Sequence, residues 1–194
     1  MKWYKYDIKN LSEDEYEYFY SLMSEEKKRR VDKFRFDDDK KRTVAGEMLI
    51  RRALEQMCKR AQEDIVIKEY DNGKPYIENS DTQFNISHSN DLVVCAVCDR
   101  RVGIDVEKIR AINLSVAKRV CSEKELEFIF GRIPMQSDFS LCDDEEILKR
   151  FFELWTKKEA YAKCTGKGLS SGLSFTPECE TIYEDGYVIS IYAE

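Results

Sequence analysis

Between Ile147 and Lys163 the chain carries an apolar stripe at helical spacing, made of Ile147, Leu148, Phe151, Leu154, Trp155 and Tyr161-Ala162. Gly166 and Gly168 follow as stop signals. A helix of that length must bury its stripe against another layer, so the rest of the chain has to supply one. Val44, Ala45, Met48, Leu49, Ala53, Leu54 and Met57 predict a second long helix over 40–60. Residues 12–33 read as helical, with a break at Phe34 to Asp39. Ile65 to Tyr70, Phe84 to Ser87, Leu92 to Cys98 and Val102 to Glu107 read as strands. Asp71-Asn72-Gly73-Lys74-Pro75 is a turn signal, because Asn-Gly favours positive φ, and Pro75 to Ile77 resumes extended structure. In the second half, Leu114 to Arg119 and Ser122 to Phe130 are shorter helices, the latter opened by a Ser122/Glu125 capping box. Residues 131–144 form a long polar loop, and Phe175 to Ala193 a short hairpin around Glu184-Asp185-Gly186. Each half therefore offers helices and antiparallel strands without regular βαβ alternation. The expectation is an α+β chain in two lobes, 1–107 and 108–194.

Charge narrows the function classes. Lys plus Arg is 32 and Asp plus Glu is 38, a formal net charge of −6. No global basic field for nucleic acid exists, although Lys27 to Arg30, Lys40 to Arg42 and Arg51-Arg52 are local basic clusters. No apolar run is long enough for a membrane span, and MKWYKYDIKN does not read as a signal peptide. Seven cysteines without an export signal read as free thiols of a cytoplasmic protein. Cys95 and Cys98 lie in a strand, where an offset of three puts them on opposite faces. They read as core residues, not zinc ligands.

Two segments carry chemistry. In Val102 to Glu107, strand alternation sends Val102, Ile104 and Val106 one way and Gly103, Asp105 and Glu107 the other. Two carboxylates then share a face with a glycine that leaves room for a ligand, and their repulsion calls for a cation or solvent. In the helix, Trp155, Glu159 and Lys163 fall on one face. Three carboxylates and a lysine suit a magnesium site for phosphoryl or pyrophosphate chemistry, since Mg²⁺ takes carboxylates together with substrate phosphates. A solvated strand end and an ordinary Glu-to-Lys helix pair are the simpler alternatives for each segment alone. His88, the sole histidine, follows a strand in Asn85 to Ser89.

In order and spacing, four pieces resemble the Sfp-type 4′-phosphopantetheinyl transferases. They are Gly73-Lys74-Pro75, Phe84 to Ser89, Gly103 to Glu107, and Phe151-x-x-x-Trp155-x-x-Lys158-Glu159-Ala-x-x-Lys163-x-x-Gly166-Lys-Gly168-Leu169. The resemblance implies a pseudo-dimer of two similar α+β lobes with the active site between them and coenzyme A in the cleft. It implies that Asp105, Glu107 and Glu159 organise Mg²⁺ against the pyrophosphate. Lys158 and Lys163 would lie near the phosphates. Ser87, His88 and Arg42 would contact coenzyme A, and Gly73, Lys74 and Pro75 would lie beside the adenine. Lys28 and Arg30 are further phosphate contacts by a looser match. Relatives of this type continue past Gly168-Leu169 with several strands, so a reduced sheet is expected in the second lobe.

The activity so implied moves 4′-phosphopantetheine from coenzyme A to a serine of an apo acyl or peptidyl carrier protein. Adenosine 3′,5′-bisphosphate leaves, Glu159 (with Glu107 as second choice) takes the serine proton, and Lys163 offsets phosphoryl charge. Residues 112–130, with Lys118, Arg119 and Lys124, are the expected carrier docking patch. The expected state is a monomer with no nucleic-acid or membrane partner. A non-catalytic module binding coenzyme A or a carrier is the alternative from another class, and a magnesium-dependent phosphodiesterase or nucleotidyl transferase is a second.

Overall fold

The computed structural model describes residues 1–59, 61–70, 74–166 and 175–194. By internal contacts the chain divides into Met1–Val102 and Gly103–Glu194. The boundary falls ahead of the one expected after Glu107, because the strand that holds Asp105 and Glu107 pairs within the second unit.

The first unit opens with strand β1 (Lys2–Asp7), followed by helices α1 (Glu13–Ser21), α2 (Glu25–Asp32) and α3 (Asp37–Cys58). The stretch expected as one helical run over 12–33 is two helices. Ser24 restarts it, its hydroxyl accepting the Lys27 amide as an N-cap. The short ribbon of β2 (Ile67–Glu69) and β3 (Pro75–Ile77) is antiparallel, with Ile67 opposite Ile77. Strands β4 (Gln83–Ser89) and β5 (Leu92–Cys98) form a hairpin, and β1 pairs on the far side of β5, giving the order β1-β5-β4. Helix α3 packs on β5 and puts Ala45, Leu49, Ile50, Ala53 and Leu54 against Phe84, Val93, Cys95 and Val97. Each large aliphatic side chain buried there contributes roughly 1.5–3 kcal/mol. Cys95 and Cys98 are both buried, and burial pushes the Cys95 thiol up to about 12, as befits a core cysteine.

The second unit begins in β6 (Val102–Lys108), then a short ribbon strand β7 (Ile112–Asn113), α4 (Ala117–Val120) and α5 (Glu123–Phe130). Strand β8 (Leu141–Cys142) pairs antiparallel with β7, so the expected loop over 131–144 holds a short strand. Helix α6 (Glu145–Thr165) follows, capped by Asp144 and ended by Gly166 in the left-handed region at φ 73°. The closing hairpin, β9 (Glu180–Glu184) and β10 (Tyr187–Ala193), turns on Asp185 and Gly186, both at positive φ. The sheet order is β6-β10-β9, and α6 packs on β10. Among the described residues each unit holds a three-stranded sheet and a two-stranded ribbon. Its core joins Leu148, Phe151, Phe152 and Leu154 of α6 to Ile129 of α5 and Val188 of β10. Among the described residues no helix is long and apolar enough to cross a membrane.

Candidate active site

Alternation in β6 aims Gly103, Asp105 and Glu107 at α6. A Cβ on Gly103 would fall 2.0 Å from the Ala160 carbonyl oxygen and 2.6 Å from the Cys164 amide nitrogen. The space beside this glycine is therefore taken by the helix backbone, not left for a ligand as the sequence suggested. That close approach lets α6 side chains reach the carboxylates on either side. The Lys163 ammonium donates to Asp105 Oδ1 at 2.7 Å and to the Ile104 carbonyl at 3.2 Å. Asp105 is 5% exposed, so its charge needs such a partner.

Glu159 lies one helical turn before Lys163 and is half-buried. Its carboxyl is raised above the ordinary range. Burial is the first cause, and the negative charge of Asp105 and Glu107 adds to it, with Lys163 pulling the other way. Glu107 is half-buried and takes a 3.4 Å contact from Arg110. The structure thus brings Asp105, Glu107, Glu159 and Lys163 together within the second unit.

As a donor set for a divalent ion, three carboxylates in mutual repulsion supply the hard oxygen ligands that Mg²⁺ takes. The side chains are not drawn together as a metal cage, since among the described residues no group of three His, Cys, Asp or Glu is arranged to hold an ion. The Lys163 ammonium instead stands beside Asp105 as its cation. The chemistry of the set fits Mg²⁺, while the positions show Lys163 paired with Asp105.

Lys158 departs from expectation. It is 1% exposed, and its ammonium donates to Glu125 Oε2 at 2.7 Å and to the Val120 carbonyl at 2.6 Å. Phe151, Leu154 and Lys158 follow i, i+3, i+7 spacing, so Lys158 lies on the core stripe. Sequence reasoning gave Glu125 only as a capping-box residue and missed its tie to Lys158. Glu125 completes the capping box on Ser122 and also accepts from Lys158 and from the Thr176 hydroxyl at 2.6 Å. Burial pushes its carboxyl up, but the donors outweigh burial and the net shift is downward.

In the first unit, Arg42 on α3 donates to Asp39 Oδ1 at 2.6 Å and to the Asn90 carbonyl at 2.7 Å. This ties it to the β4–β5 turn, two residues past His88. His88 is exposed on β4 opposite Val93, whereas Ser87 is buried. Pro75 opens β3, Lys74 just before it accepts the Tyr70 amide on its carbonyl at 2.9 Å, and Gly73 lies outside the described residues, as do Gly168 and Leu169. A cleft between α2 and the β2–β3 ribbon is lined by Lys27, Arg30, Lys68 and Glu69, among others, and Lys28 is not part of its lining. Lys28 pairs with Glu25 at 3.0 Å on the helix surface. Lys27 pairs with the buried Glu47 at 2.7 Å, and Arg30 with Glu69 at 3.0 Å.

Two family models divide the chain as the fold does. One, described as 4′-phosphopantetheinyl transferase, N-terminal, matches residues 10–100, and the other, the 4′-phosphopantetheinyl transferase superfamily, matches residues 101–191. The chain is 39% identical to the 4′-phosphopantetheinyl transferase psf-1 of Bacillus pumilus, covering 85% of this chain and 66% of that protein. It is 36% identical to the 4′-phosphopantetheinyl transferase Sfp of Bacillus subtilis, covering 92% of this chain and 75% of that protein. A third similar protein, the 4′-phosphopantetheinyl transferase gsp of Aneurinibacillus migulanus, is 35% identical over 77% of this chain and 58% of its own length. The chain thus spans about two thirds of the length of such relatives.

Proposed function

The chain belongs to the Sfp-type 4′-phosphopantetheinyl transferases, and on that premise we propose that it transfers 4′-phosphopantetheine from coenzyme A to a serine of an apo acyl or peptidyl carrier protein. The observation that carries this reading is that Asp105 and Glu107 of β6 and Glu159 of α6 come to one strand-and-helix face, with Lys163 on Asp105.

The serine hydroxyl attacks the β-phosphorus of coenzyme A. The bond from that phosphorus to the bridging oxygen breaks, and adenosine 3′,5′-bisphosphate leaves. Glu159, with Glu107 as second choice, takes the serine proton. Lys163, already on the carboxylate face of β6, offsets charge on the phosphoryl oxygens. Asp105, Glu107 and Glu159 would hold Mg²⁺, which when bound supplies neutralisation of the pyrophosphate charge. Arg42, Ser87, His88, Lys74 and Pro75 are the proposed coenzyme A contacts of the first unit. Arg30, exposed where it lines the α2 cleft, is a more direct candidate for phosphate than Lys28. A monomer in a reducing compartment, without nucleic-acid or membrane partners, completes the proposal, in keeping with the free thiols of the described cysteines.

The test is the intact mass of an apo acyl or peptidyl carrier incubated with the protein, coenzyme A and Mg²⁺. A gain of one phosphopantetheine per carrier, abolished by EDTA, is the expected result. Coenzyme A binding with no gain on either carrier type would overturn the reading in favour of a non-catalytic binding module.

A further inference from the structure

Past the carboxylate face of β6 the chain turns, and backbone and side-chain bonds fix that turn. The Lys108 ammonium donates to the Asp185 carbonyl at 2.8 Å and lies over the Tyr187 ring, 4.3 Å from its centroid. The Ile109 amide donates to the Gly186 carbonyl at 2.8 Å. With its root held in this way, Arg110 lays its guanidinium over the buried Phe152 ring of α6, 5.5 Å from the centroid. Its Nη1 donates to the Lys108 carbonyl at 3.2 Å, and the same nitrogen lies 3.4 Å from Glu107 Oε2.

An exposed ion pair adds little when two long side chains must be ordered to form it. Here Phe152 and the Lys108 carbonyl already order Arg110, so its charge is kept beside Glu107. The two β6 carboxylates thus each have a cation from this chain, held differently. Lys163 reaches Asp105 at 2.7 Å and is 28% exposed, whereas Arg110 reaches Glu107 at the longer distance and is 50% exposed. Arg110 is therefore the cation more readily turned out to water.

We infer that Arg110 is a counter-cation that Glu107 exchanges for a divalent ion, so that this arginine sets the metal concentration at which the carboxylate face fills. The inference rests on the magnesium reading above and deepens it. Positive charge beside a carboxylate opposes the arrival of a second cation there. Removing the Arg110 charge should therefore tighten metal binding. A residue whose role was to hold Glu107 in place would, on removal, weaken it, so the sign of the change separates the two roles.

The test is Mn²⁺ binding, read as loss of the free-ion EPR signal, for wild type, Arg110→Gln and Arg110→Lys. Each is titrated without coenzyme A and with it, and no carrier is present. The expected result is a Kd lowered about 3- to 10-fold in Arg110→Gln, with Arg110→Lys close to wild type. Equal or weaker binding by Arg110→Gln overturns the inference and leaves the magnesium reading in place. Binding by Arg110→Lys as tight as that of Arg110→Gln also overturns it, because charge would then not be the cause. If neither wild type nor Arg110→Gln binds Mn²⁺ in either form, or if Glu107→Gln binds it as well as wild type, the magnesium reading and the inference fall together.

Discussion

In the first unit the buried Glu47 carboxylate lies between two cations, Lys27 at 2.7 Å and Arg51 at 2.7 Å, and Arg51 also donates to the carbonyls of Leu22, Gln62 and Ile65. In the second, Asp105, Glu107 and Glu159 crowd a single strand-and-helix face, with Lys163 on Asp105 and Arg110 reaching Glu107 from the surface. Both units place a long helix against a three-stranded sheet, but in the first the charge lies on the helix face toward α2, and in the second on the face toward β6. Where the charge is balanced, as at Glu47 or at Glu125 with Lys158, it serves as structure. Where carboxylates accumulate, the cost of holding them is the signature of a site that expects a cation.

The largest effect that would sharpen this contrast is on Glu159. Glu159→Gln should lower kcat by about 10²- to 10⁴-fold, the usual contribution of a general base, read as carrier modification per unit time. The same variant should melt no lower than wild type near neutral pH. A carboxyl raised in the folded state binds its proton more tightly folded than unfolded. The stability it adds is therefore complete below its unfolded value and is lost as pH rises through the folded one. The advantage of the glutamine should close as pH falls into the carboxylate range, which a melting series across pH would show.

Glu47→Gln and Lys158→Met should behave in the opposite way, each losing about 3–5 kcal/mol of stability because a buried partner charge is left uncompensated. Urea titration measures this. If Lys158→Met kept full stability and raised the coenzyme A KM instead, the structural assignment of Lys158 would be wrong. Gly103→Ala should cost about 1–3 kcal/mol, because its methyl group meets the α6 backbone, and should depress activity by pushing Glu159 and Lys163 off β6. The smallest effect is that of Ser122→Ala, about 1 kcal/mol from the lost α5 cap, with kcat unchanged.

Much of the cluster was legible in the sequence, because a period of two fixes which β6 residues share a face and a helical period places Glu159 and Lys163 one turn apart. What escaped was set by partners remote in the chain. Gly103 read as open space, since nothing local shows that the Ala160 carbonyl comes to rest against it. Lys27 and Lys28 are neighbours in sequence but point about 100° apart on a helix, and only Glu47, far along the chain, shows which one turns inward. Lys158 carried a visible warning in its spacing from Phe151 and Leu154, yet a lysine next to a catalytic glutamate reads naturally as a phosphate ligand. Glu125 read only as a capping-box residue because its other partners, Lys158 and Thr176, lie in and beyond α6.

The most direct test of the central claim, that the unbalanced carboxylates of the second unit perform the transfer, is a paired intact-mass measurement on one apo carrier with coenzyme A and Mg²⁺. Wild type should add one phosphopantetheine to every carrier, while an equally folded Glu159→Gln protein adds essentially none in the same time. Modification by Glu159→Gln at the wild-type rate would contradict the account.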